Sequence, residues 1–268
     1  MSGGRSGAGG SCSWRRIWLV ACWLAVEAVT GRGAVAGWVL PAPEEIGVVR
    51  AATYDSDGRR VGEATLSTES GEGGLVRVRM SASLEAGGGM TASAELEPVA
   101  GGLRLLREQA QSHDAAGRPL PLLAVDHVAG VATCTPAPGS SGRFERVDLP
   151  EDERIVNVPL QLLFGRLARG EVPRIDFQMF LCRRGARVLD FRAEVAARDE
   201  ARDIVAVRYR PDLGPLGWLV GALVPKLAFF FDVASGARYV GHRMPLFPGG
   251  PDVFVLRDGV SVASLPGR

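Results

Sequence analysis

LGWLVGALVPKLAFFFD, residues 216–232, is the most apolar run downstream of residue 36, and its reading decides the fold. A membrane-spanning helix needs about 20 mostly apolar residues. This run is shorter, is interrupted by Pro225, carries Lys226 (the only lysine in the chain) and ends at Asp232. Proline inside a helix removes a hydrogen bond and clashes with the preceding turn, so the run divides. Residues 215–224 read as a short helix or apolar loop and residues 226–233 as a buried strand, since four to eight apolar residues bounded by breakers fit that pattern. Trp218, Phe229, Phe230 and Phe231 all fall here. Three readings of the run stand side by side: ordinary core, an apolar pocket wall that accepts a lipid-like molecule, and peripheral contact with a bilayer.

Outward from this run the chain reads as strands separated by turns. Upstream, residues 174–182, 186–195 and 203–210 are joined near Arg184-Gly185 and by a charged turn at 198–202. Downstream, a turn at Ser235-Gly236 leads to a strand over 238–244, and 252–257 completes the sheet before Asp258-Gly259. In the first half, residues 49–54 and 60–67 flank Asp57-Gly58, a pair that suits the positive φ angles of a type I′ hairpin turn. Leu75, Arg77 and Arg79 alternate with Val76, Val78 and Met80, giving a charged and an apolar face. Residues 91–97 follow a triple glycine. Residues 103–111 fit a strand or a helix, and 119–127 with 131–135 read as a hairpin around Ala129-Gly130. Short strands at regular spacing with glycine turns predict an all-β sheet, sandwich or barrel.

One helix is predicted, over about 157–169. Asn157 is placed to cap it, Pro159 sits in the first turn where its missing N–H costs nothing, and Leu160, Leu163, Phe164 and Leu167 share one face. Gly170 supplies a C-terminal stop. Glu151, Asp152 and Glu153 read as a solvated lead-in that also suits the helix dipole. The fold expected is mainly β: a curved antiparallel sheet or half-barrel with this helix packed on its concave face.

The front end reads differently. Arg15-Arg16, an apolar stretch over 17–29 and Ala34-Val35-Ala36 have the layout of a secretory signal peptide, so residues 1–36 are expected to be removed and 37–268 to form a single domain. Removing Arg5, Arg15, Arg16, Arg32 and Glu27 takes away a net +3 from the formal +1, leaving about −2. Two variants of the export signal are weighed beside it: lipidation at Cys22 in Leu19-Val20-Ala21-Cys22, and a twin-arginine signal at Arg15-Arg16. The expected location is periplasmic or secreted. Cys134 and Cys182 then remain, and an oxidising compartment favours a single bridge between them, with two unpaired buried cysteines as the alternative.

Few residues offer chemistry. No metalloprotease, nucleophile-elbow, phosphate-loop or paired-cysteine motif occurs. The three histidines, His113, His127 and His242, lack the spacing of a known zinc class. His127 at a hairpin end reads as solvated, and His242 as a structural residue on a strand. The formal charge of +1 argues against a nucleic-acid partner, which calls for a basic patch or stripe. No catalytic residue, cofactor or metal is expected. Arg238, Tyr239, His242, Arg243 and Lys226 form a candidate polar rim beside the apolar run, where arginine's planar fork suits a carboxylate or phosphate.

The stretch TYDSDGRRVGEATLS (53–67), with the later VPKLAFFFD (224–232) and YVGHRMP (239–245), resembles uncharacterised exported bacterial proteins built on a long curved antiparallel sheet. In general build these are similar to periplasmic lipoprotein carriers, whose half-barrel wraps a helix and holds acyl chains. The resemblance implies an apolar or amphiphilic, lipid-like ligand, such as a fatty acid, in the sheet–helix concavity. The expected wall is Leu160, Phe164, Trp218, Leu219, Leu223, Phe229 and Phe231, with Lys226 and Arg243 at the mouth. The alternative is a non-enzymatic cell-envelope interaction or scaffolding module with no ligand, its protein partner undefined by sequence.

Overall fold

In a computed structural model of the chain, residues 38–182, 185–214, 227–247 and 250–267 are described. Trp218, Leu219, Leu223, Lys226 and the expected signal peptide lie outside them. The strands are β1 (Val39–Leu40), β2 (Gly47–Tyr54), β3 (Arg60–Ser70), β4 (Val76–Leu84), β5 (Gly89–Val99), β6 (Gly102–His113), β7 (Leu122–Asp126), β8 (Val131–Thr135) and β9 (Glu145–Asp148). The helix α1 (Leu160–Ala168) follows, then β10 (Arg174–Leu181), β11 (Arg187–Asp199), β12 (Ile204–Pro211), β13 (Leu227–Asp232), β14 (Arg238–Pro245) and β15 (Asp252–Arg257).

These strands make one antiparallel sheet in the order β10-β11-β12-β13-β14-β15-β2-β3-β4-β5-β6-β7-β8-β9, with β1 paired to β6. The sheet is curved but its ladder is not closed into a barrel, since β10 and β9 stand at opposite ends of the order. Segment 103–111, open to either reading from sequence, is strand. β1 and β9 carry no sequence signal of their own, being two and four residues long.

The first hairpin differs from the expected type I′ turn. The Gly58 amide donates to the Asp55 carbonyl and the Asp55 amide to the Arg59 carbonyl, while Gly58, at φ 81°, is the residue in the left-handed region. Asp55 Oδ1 accepts from the amides of Asp57 and Arg59. The same device recurs at Asp114, whose Oδ1 accepts from Ala116 and Arg118 before Gly117 at φ 73°. A carboxylate that satisfies the turn amides fixes the loop 55–59 with one left-handed residue, Gly58, where a type I′ turn has two.

α1 lies on the concave face against β10–β14. Leu160, Leu163, Phe164 and Leu167 are buried there. It begins later than the expected cap: Pro159 is the N-cap, and Asn157 instead pairs with the edge of β10, its Nδ2 donating to the Phe180 carbonyl at 2.7 Å and its Oδ1 accepting from the Phe180 amide at 3.1 Å. The helix stops as expected, with Gly170 at φ 75° donating to Leu167 and Glu171 donating to Arg166.

The two ends of the sheet are tied together by side chains and by residues 153–158. Val156 donates to the Gln178 carbonyl and Gln178 to the Arg154 carbonyl, which covers the outer edge of β10 with the chain's own backbone. Cys134 on β8 and Cys182 just beyond β10 form a disulfide. Leu123, Val125, Ala132, Ile155 and Phe180 make a small core beneath it. On the opposite, convex side, Val262 and Leu265 cover Ile204, Phe230, Phe254 and Leu256.

Candidate functional site

The described part of the expected wall is assembled, and it is filled. Phe164 and Phe231 are almost fully inaccessible. The Phe164 ring centroid lies 5.5 Å from Phe177, 5.3 Å from Tyr209 and 5.2 Å from Phe229. Such edge and tilted contacts are the favoured aromatic arrangements. Leu160, Phe164, Phe229 and Phe231 therefore meet as one packed core around α1.

Arg243 is not brought to that wall. Successive strand residues face opposite sides of a sheet, and Arg243 pairs in register with Phe254 on the convex face while His242 pairs with Val255 and Phe229 within. Its guanidinium sits 5.3 Å from the Phe254 ring centroid and donates to Asp252 at 3.2 Å.

A mouth does open beside the core. A pocket of about 60 Å³ has Leu66, Leu162 and Phe231 as its apolar lining and Arg169, Arg238 and Arg257 as its cations. Arg169 follows the last turn of α1, Arg238 opens β14 and Arg257 ends β15. The strap of residues 41–45 lines one side of it. Glu45 accepts from Arg257 at 2.7 Å, and Glu44 lies 3.7 Å from Arg169. Burial pushes the Glu44 carboxyl above its ordinary range, against the opposing pull of Arg169. Of the expected rim, Arg238 and Tyr239 line this pocket; Arg169, Arg257 and the two glutamates were missed, because residues far apart in sequence converge here only through the β15–β2 pairing.

The second polar group is buried in the seam. Glu108, His127 and Glu153 are each at most 4% exposed, so His127 is not solvated and Glu153 is not a solvated lead-in. His127 Nδ1 bonds Glu153, and His127 Nε2 lies 3.6 Å from Glu108 Oε1. Glu108 Oε2 accepts from the amides of Asn157 at 2.8 Å and Val158 at 2.6 Å, and Glu153 Oε2 from Ile155 at 2.9 Å. Burial alone would lower the His127 pKa, but hydrogen bonds and attraction from the two carboxylates overcome it and raise it to about 9. The imidazolium is thus the bridge between two buried carboxylates, as buried charge requires.

His242 is the opposite case. It is buried beside Phe229 at a centroid distance of 5.3 Å, its Nδ1 bonded to the Tyr239 hydroxyl, and burial depresses its pKa to about 4. His113 ends β6, paired with Gly89. The three histidines thus have separate surroundings. Among the described residues no cluster of His, Cys, Asp or Glu is arranged to hold a metal ion, and no helix is long and apolar enough to cross a membrane.

No protein-family profile and no curated protein matches the chain. Among solved structures, it is similar to a beta-barrel-like protein of the domain of unknown function DUF1849 from Brucella abortus, at 10% identity and a TM-score of 0.45, covering 82% of this chain and 97% of that one.

Proposed function

We propose that the protein is an exported, non-enzymatic binding protein that takes an amphiphilic, lipid-like ligand at the mouth between sheet and helix. The observation that carries this reading is the strap: the carboxylates of Glu44 and Glu45 sit against Arg169 and Arg257 above an apolar lining. They mark the chemistry these arginines accept, and the anionic head of a fatty acid or lipid would take their place. The acyl part would then run over Leu66, Leu162 and Phe231. Past that lining the core cluster continues into buried Ala92 and Ala94 with half-buried Met80, Met90 and Ala110, which would part to admit a longer chain. Methionine adapts its shape to irregular apolar partners. The Cys134–Cys182 bridge is consistent with an oxidising compartment.

A second reading is an envelope interaction or scaffolding module without a ligand. The filled aromatic end of the concavity favours it, because Phe164 leaves no room there.

Native mass spectrometry of protein purified from the periplasm, with organic extraction, separates the two. The expected result is a reproducible lipid or fatty-acid mass increment that is lost in an Arg169→Glu, Arg257→Glu double variant. A clean apoprotein mass supports the module instead.

A further inference from the structure

The convex face of β3–β6 carries a trough that the mouth does not involve. Three adjoining hollows of about 310, 480 and 490 Å³ share Ser93 and Gln109 at one junction, and Thr65, Ser81 and Thr91 at the other. Together they run along the strands from the row of Gly89 to the row of Glu95, about 20 Å at the usual strand rise.

The floor of the trough is polar, as an outward sheet face usually is, but across β3–β6 its central row carries no charge. Thr65, Ser81, Thr91 and Gln111 stand in direct cross-strand register, and Ser93 pairs with Gln109 in the next row. Apart from a Thr65–Ser81 bond at 2.7 Å and a long contact from Gln111 to the Leu120 carbonyl, no hydrogen bond within the protein uses these groups among the described residues. The floor is therefore short, uncharged, and rich in free donors and acceptors held on rigid strands. The surrounding charges are already matched: Arg77 with Glu95, Arg79 with Glu69, and Arg107 with Asp126. A polyanion would find no unpaired basic stripe, and an apolar partner would strand the hydroxyls and amides without hydrogen bonds.

We propose that this trough binds a neutral, polyhydroxylated chain, namely an oligosaccharide, whose hydroxyls exchange hydrogen bonds with Thr91, Ser93 and Gln109. The site is independent of the amphiphile reading, since it lies on the other face of the sheet.

The test is isothermal titration of the full chain with three neutral hexasaccharides: cellohexaose, maltohexaose and the β-1,4-linked N-acetylglucosamine hexamer. Saturable one-to-one binding of at least one is expected. Filling the floor with a Thr91→Ile, Ser93→Leu double change should weaken it about tenfold or more, the loss expected for two hydrogen bonds. Gln109→Leu, a single change at an exposed position, should weaken it about threefold or more and keeps the test meaningful if the double variant folds poorly. Arg208→Gln, on the exposed side of β12, should leave it unchanged. Absence of saturable binding to all three sugars overturns the proposal. So does affinity that survives the floor variants, or stronger binding of a sulfated polysaccharide than of any neutral one.

Discussion

Glu108 and Val158, fifty residues apart, meet through a hydrogen bond of 2.6 Å from the Val158 amide to Glu108 Oε2. This contact joins β6 to the turn that launches α1, and with His127 and Glu153 it holds the rolled sheet together. Removing the carboxylate leaves two buried amides and one buried imidazolium short of a partner. Glu108→Ala is expected to cost about 3 kcal/mol or more, measured as a lower denaturation midpoint at unchanged slope. Glu108→Gln should cost less, because it keeps an acceptor for the amides.

The two buried histidines predict opposite limbs of a stability–pH curve. The His127 pKa is raised in the fold, so its contribution is fully present below 6.5 and is lost as pH rises through about 9. The His242 pKa is depressed, so its contribution is fully present above 6.5 and is lost as pH falls toward about 4. Thermal melts across this range should show His127→Gln flattening the alkaline limb and His242→Phe the acid limb. Alkaline loss of stability that persists unchanged in His127→Gln would remove this assignment.

The disulfide closes a loop with a sequence separation of 48. Replacing Cys134 and Cys182 by serine should lower stability by about 4 kcal/mol in the chain-entropy treatment. Reduction of the unmodified protein should give a comparable fall in its urea midpoint, and no change on reduction would mean the bridge is not formed in solution.

Phe164 is too deeply packed to report on a ligand. Phe164→Asp would place a carboxylate among Phe177, Tyr209 and Phe229, and unfolding is expected before any loss of ligand could be read. Phe164→Ala should cost about 3–5 kcal/mol, as measured by chemical denaturation. Variants of Arg169 and Arg257, at the mouth, are the ones that discriminate function.

Much of the fold was legible because alternation survives wherever one strand face is buried. Val76 and Val78 turn inward and Arg77 and Arg79 outward as their spacing predicts, and β15 spans the predicted 252–257. The seam was not legible, and β6 shows why. Leu103 and Leu105 face the core, and strict alternation would send Arg107 inward next. A bulge opposite Glu95 and Leu96 shifts the phase by one residue, which turns Glu108 in and Arg107 out. Glu153 was hidden for another reason: in a run of acids nothing local marks which one finds a partner 26 residues away. The mouth arginines gave no signal because their convergence depends on strand order, which alternation does not encode.

That strand order has a consequence for how the chain reaches its native state. Apart from β1, every strand within each half pairs with its neighbour in sequence, and the two halves of the ladder join where β15 runs beside β2, from Phe254 opposite Tyr54 to Arg257 opposite Ala51. The last strand to emerge thus completes the pairing of nearly the first. A circular permutant opened between β9 and α1, with residues 267 and 38 joined by a linker, would run α1, β10 to β15, then β1 to β9. Apart from β1, its strands would follow one another in the order they occupy in the sheet. Mean contact separation would fall, and the permutant should fold faster than the natural chain while keeping the same sheet.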